Sequence, residues 1–95
     1  MVIQVNFNKD LGELVDSGGQ IFLGKRFDNI SVSPIQSFSS SQGARLNVVN
    51  DLERKATEHS ADAYEIITTS TYDSHQEYDS APYTASAMAL LYKRQ

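Results

Sequence analysis

Only one stretch of this chain repeats its apolar residues at the period of an α-helix. From Ala44 to about Ser60, Val48, Val49, Leu52 and Ala56 fall within about 100° of arc on a helical wheel, and Arg45 and His59 extend that stripe at its two ends. Asn47, Asn50, Asp51, Arg54, Lys55 and Glu58 lie off it, and Asp51 with Lys55 forms a favourable pair one turn apart. A single amphipathic helix has nothing of its own kind to pack on. It has to lay its stripe on a sheet, which narrows the chain to a small α+β fold.

The flanking segments supply strands. Ile3, Val5 and Phe7 alternate with Gln4 and Asn6, the pattern of a half-buried strand. Residues 8–19 are polar and end at Gly18-Gly19 in a turn, and Gly12 weakens a helical turn across Leu11–Val15. A straight or bent strand runs from about Gln20 to Ser33, where Pro34 closes it. The serine-rich loop 36–43 suits a helix N-cap. After the helix, Ala63 to Thr71 is β-branched and aromatic, and residues 72–82 read as a polar loop. From Tyr83 to Tyr92 the chain alternates again. Tyr83, Ala85, Ala87, Ala89 and Leu91 share one face, and the small alanines there let a helix approach closely. Thr84, Ser86, Met88, Leu90 and Tyr92 share the other, half-covered face. The expected architecture is ββαββ: a single domain over 1–95 with an antiparallel sheet of about four strands and the helix at about 44–60 on one face.

Composition bounds the function. Ninety-five residues build one core and leave little room for a large substrate cavity beside it. Without cysteine there is no disulfide, thiolate metal site or thiol nucleophile. A net charge of −4 argues against phosphate-driven nucleic-acid binding. No apolar run approaches the ~18 residues of a membrane span. The segment MVIQVNFNKDLGEL lacks the basic and apolar regions of a signal peptide, although a mature form restarted at Met1 reads the same way.

Two strings invite chemistry. LVDSGG, residues 14–19, echoes the catalytic loop of aspartic proteases, in which two protomers each contribute a carboxylate to a shared proton. Asp16, Ser17, Gly18 and Gly19 are also what a turn between strands requires, and the turn is the reading adopted here. In YDSHQEYD, Asp73, His75, Glu77 and Asp79 occupy every second position, a spacing that offers four ligands to a divalent cation. The competing reading is a solvated acidic loop, and no cofactor is expected. For a partner, the half-covered residues Met88, Leu90 and Tyr92 are the candidates.

From Asn29 to Lys93 the chain resembles the small biofilm- and stress-associated domains of the YdgH/BhsA/McbA type. The resemblance rests on Ile30 and Ser31, on Leu52, Lys55, Ala56, Glu58 and Ala61 around the helix end, on Ile66, Thr68 or Thr69, and Ser70, and on Ala89, Tyr92 and Lys93 in the last strand. Residues 1–28 have no counterpart, and Ser60 stands where the pattern has glycine. The resemblance implies a non-enzymatic envelope protein tied to stress response, biofilm or surface properties, periplasmic if a signal peptide has been removed and otherwise cytoplasmic. With or without it, the residues point to a small binding or regulatory protein acting through a protein partner or a homo-oligomer, with no nucleic acid and no membrane span. The alternatives are a divalent-metal binder using loop 73–79 and a virus- or phage-encoded accessory protein that binds a host factor.

Overall fold

A computed structural model describes residues 1–34, 36–74 and 80–95. Strands β1 (Ile3–Asn8), β2 (Glu13–Asp16), β3 (Ile21–Phe22) and β4 (Gly24–Val32) precede helix α1 (Ser41–Glu58), and β5 (Ala63–Asp73) and β6 (Tyr83–Arg94) follow it. They form one six-stranded sheet in the order β3-β2-β1-β5-β6-β4. The α+β class with one helix against a sheet stands. The expected count of about four strands and the all-antiparallel pairing do not, because β1 lies parallel to β5 through Ile3–Ala63 and Gln4–Tyr64.

The two extra strands have local causes. Residues 9–12 make a tight connection in which the Gly12 N–H donates to the Asn8 carbonyl and the Leu11 N–H to Asn8 Oδ1. Gly12 sits at φ +67°, a left-handed conformation that side chains resist. Glu13–Asp16 therefore returns antiparallel to β1, where a turn and at most a helical turn had been expected. The expected bent strand at 20–33 is present, but it breaks at Leu23 into β3 and β4, which lie at opposite ends of the strand order. The sheet thus curls until a single residue joins its two edges, and the Gln95 N–H donates to the Leu23 carbonyl at the junction. Gly24 is required there, since a Cβ on it would stand 2.5 Å from the Lys93 carbonyl oxygen and from the Phe22 ring.

The helix lies on the face that the alternation predicts. Ala44, Val48, Leu52 and Ala56 pack into one core with Ala85, Ala87, Ala89 and Leu91 of β6, together with Val2, Ile30, Val32 and Tyr64. Leu52 and Leu91 are fully buried, each worth about 1.5–3 kcal/mol of transfer free energy. The helix begins three residues before Ala44 because Ser40 caps it, its Oγ accepting the Gly43 N–H at 3.0 Å. It ends with the Ala61 N–H donating to the Ala56 carbonyl and the Ser60 N–H to that of Thr57, the paired bonds of a Schellman motif. The left-handed position of that motif, φ 59°, is held by Ser60, the residue at which the chain departs from the glycine of the resembling pattern. Lys55 Nζ donating to the Ser31 carbonyl and His59 Nδ1 at 3.2 Å from Asp28 Oδ2 tie the helix end to β4.

A second core fills the curl on the other face. Val5, Phe22, Ala63 and Tyr92 are buried there, with Ile3, Leu14 and Leu90 packed against them. The Phe22 and Tyr92 rings meet edge to face at 6.4 Å, and the Arg94 guanidinium stands 4.9 Å from the Phe22 ring centroid.

Two outcomes test this packing. Ser60→Gly relieves a left-handed strain of about 1–2 kcal/mol against a smaller gain in unfolded-state entropy. Urea denaturation should find the variant about 0.5–1 kcal/mol more stable. Ala89→Leu forces bulk between β6 and the helix and should cost about 1–3 kcal/mol, read as a lower denaturation midpoint.

Candidate functional site

The residues singled out from the sequence separate into three places. Asp16 closes β2, and its Oδ1 accepts the N–H groups of Gly18 (2.9 Å) and Gln20 (3.0 Å). Together with the bond from the Gly19 N–H to the Asp16 carbonyl, this builds the β2–β3 turn, with Gly19 at φ +80°. The Asp-Ser-Gly-Gly string is thus the turn that its residue types indicate.

Asp73, the first of the suggested metal ligands, is the last residue of β5 and pairs with Tyr83. His75, Glu77 and Asp79 lie outside the described residues. Among the described residues no group of three or more His, Asp or Glu side chains is placed to hold a metal ion.

Met88, Leu90 and Tyr92 do share the helix-free face, but they have different surroundings. Tyr92 is buried in the second core, and its hydroxyl donates to Glu65 Oε1 at 2.9 Å. The other oxygen of Glu65 accepts the Phe7 N–H at 3.2 Å, so this carboxylate links β6, β5 and β1 beneath the curl. Burial, the hydrogen bond to Glu65 and the charge of Glu65 push the Tyr92 phenol up to about 12, against a smaller opposing effect of Arg26. Leu90 is half-buried against the same core, and Met88 is 43% exposed. The three are successive steps from a closed interior to an open surface.

The strands that flank β6 carry two further exposed apolar residues that alternation does not mark. The register of β4 on β6 jumps from Arg26 to Asp28, and that of β5 on β6 jumps from Ile66 to Thr68. Phe27 and Ile67 are the extra residues of these β-bulges, and they are 44% and 49% exposed. They lie on the two strands that flank β6, while Ser31, Met88 and Thr68 form one rung across all three. Strict alternation missed both residues. The signal for Ile67 was available: two consecutive isoleucines, Ile66 and Ile67, cannot both face one core in a regular strand. Phe27, between Arg26 and Asp28, carried no such mark.

Among the described residues no helix is long and apolar enough to cross a membrane. Comparison of the chain with protein-family models, curated proteins and solved structures finds no match.

The Tyr92–Glu65 pair makes a pH-dependent contribution to stability. Unfolded tyrosine ionises near pH 10.0, and the folded state holds the Tyr92 proton more tightly. The contribution is complete below pH 10 and is lost as pH rises through about 12. Tyr92→Phe should cost about 1–2 kcal/mol at neutral pH. It should also flatten the loss of stability with alkali, followed by denaturant midpoints across that window.

Proposed function

We propose that this chain is a non-enzymatic binding module that works through protein–protein contacts made by the helix-free face of β4, β6 and β5. The observation that carries the reading is the exposure of Met88 beside half-buried Leu90, with the bulge residues Phe27 and Ile67 on the neighbouring strands. Scattered single apolar residues need no explanation, but large ones on adjacent strands of one open sheet are a common mark of a contact surface. The open face also continues from a rigid core, which holds Leu90 in place and lowers the ordering cost of a contact.

A second copy is the first partner to test, since a two-fold contact sets each residue against the same patch of its mate and needs no further component. Strand edges assist. β1 pairs with β5 only at Ala63 and Tyr64, so from Glu65 to Tyr72 that edge of β5 has no strand neighbour among the described residues. The resemblance to biofilm- and stress-associated domains supports the same class of activity, a surface or regulatory contact in place of a reaction.

Light scattering over a rising concentration series should show association of the wild-type chain. Met88→Lys together with Ile67→Lys should shift the midpoint upward at least tenfold without lowering the melting temperature, because both side chains are exposed. A wild-type chain that stays monomeric at millimolar concentration would overturn self-association. A double variant that associates as the wild type does would overturn the face.

A further inference from the structure

A second surface, independent of the open face, lies where the β2–β3 turn and the start of β1 approach the helix. It borders an open cleft of about 480 Å³, within the roughly 300–1,000 Å³ range of small-ligand sites. Val2, Ile3 and Tyr64 give it an apolar wall, Gln4 stands beside them, and Asp16 and Glu53 supply two carboxylates. Among the described residues no lysine or arginine lines it, and Met1, fully exposed, contributes to the lining together with its α-amino group.

Tyr64 makes the cavity more than an acidic surface. The residue is only 3% exposed, yet its hydroxyl forms no hydrogen bond with any described residue. No side-chain oxygen or nitrogen is left both unpartnered and wholly shielded from solvent among the described residues. The small accessible part of Tyr64 therefore includes its hydroxyl, and the residue lines this cavity. A buried phenol is ordinarily bonded, because an unmet polar group costs free energy. Here no described protein group serves the hydroxyl, so its partner is water or a ligand held in the cleft. Among the described residues both carboxylates keep acceptors: Asp16 uses Oδ1 for the turn amides and leaves Oδ2, and the Glu53 carboxylate takes no hydrogen bond.

We propose that this cavity binds an alkylammonium group, the chemistry of a lysine side chain or an aliphatic amine. An ammonium carries three donors and no acceptor. The cavity presents acceptors of matching number: Asp16 Oδ2, the Glu53 carboxylate and the Tyr64 hydroxyl oxygen. The methylene stem has Val2, Ile3 and the Tyr64 ring to lie against. Two carboxylates alone are too few ligands for a divalent cation, and no three-ligand group is present among the described residues. Burial, and then the negative charge of Glu53, raise the Tyr64 phenol above its usual range, which agrees with a negative potential inside the cavity.

The test is an amide chemical-shift titration of the full chain with n-butylammonium, run in parallel with n-butanol and with Mg²⁺ at about 0.15 M salt, where diffuse surface attraction is largely screened. The expected result is saturable movement of the Gln4, Asp16, Gln20 and Glu53 amides with butylammonium alone. Glu53→Gln should weaken binding about tenfold and Tyr64→Phe about threefold. Glu53 is exposed, so its variant keeps the fold, and the unperturbed spectrum of the second core verifies this. The proposal is overturned by non-saturable shifts, by equal shifts with n-butanol, by Mg²⁺ displacing the amine stoichiometrically, or by unchanged affinity in Glu53→Gln.

Discussion

The contact between the helix stripe and the alanine face of β6 governs the rest of the molecule. β6 is hydrogen-bonded to β4 on one side and β5 on the other, and it carries the helix on one face. Ala85, Ala87 and Ala89 bring the helix backbone close enough for Val48 and Leu52 to reach Ile30, Val32 and Leu91 in the same layer. Larger side chains at those positions would lift the helix and open that layer, because interiors are packed at crystal density and transmit a change in volume directly. Once this contact is set, the helix covers one face of the three long strands and the other face must find its own cover.

That cover is only partial. The short strands β1, β2 and β3 roll under the sheet and close a small second core around Phe22 and Tyr92. Four buried residues are enough to seat the end of β6, and the Glu65 carboxylate stitches the layer by taking bonds from Tyr92 and Phe7. The chain has no further apolar segment with which to extend the roll. Toward the middle of β6 the face therefore opens, at Leu90 and then Met88. The β5 bulge falls beside this opening, next to Met88, whereas the β4 bulge lies opposite Tyr92 and Leu91 at the closed end of β6. The proposed contact surface is thus a consequence of how far the curl reaches.

The same economy accounts for the acidic cavity. The turn that returns β2 to β3 uses one oxygen of Asp16 to hold backbone amides, which leaves the second oxygen available as an acceptor. Tyr64, whose ring belongs to the helix-side core, carries its hydroxyl to the border of that core. A structural turn and a core aromatic thereby place polar atoms at one opening beside Glu53. The two surfaces do not share a residue and can act separately.

Local periodicity alone determined the helix, the face it buries, and the alanine strand it buries against. Those features are written in residues three, four or two apart, and each is decided by side chains within one element. A cap somewhere in the serine-rich loop 36–43, and Asp16 with Gly18 and Gly19 as a turn, were legible for the same reason, whereas the structure singles out Ser40. The parallel pairing of β1 with β5 was not, because Ile3 and Ala63 are sixty residues apart and neither carries a mark of its partner. The split at Leu23, the two bulges and the burial of Tyr92 likewise depend on which strands meet after the curl has closed. Alternation placed Met88, Leu90 and Tyr92 on one face, but only the tertiary structure decided that Tyr92 is interior, Leu90 a border and Met88 a surface. Exposure is set by what distant segments cover, and no local pattern records that.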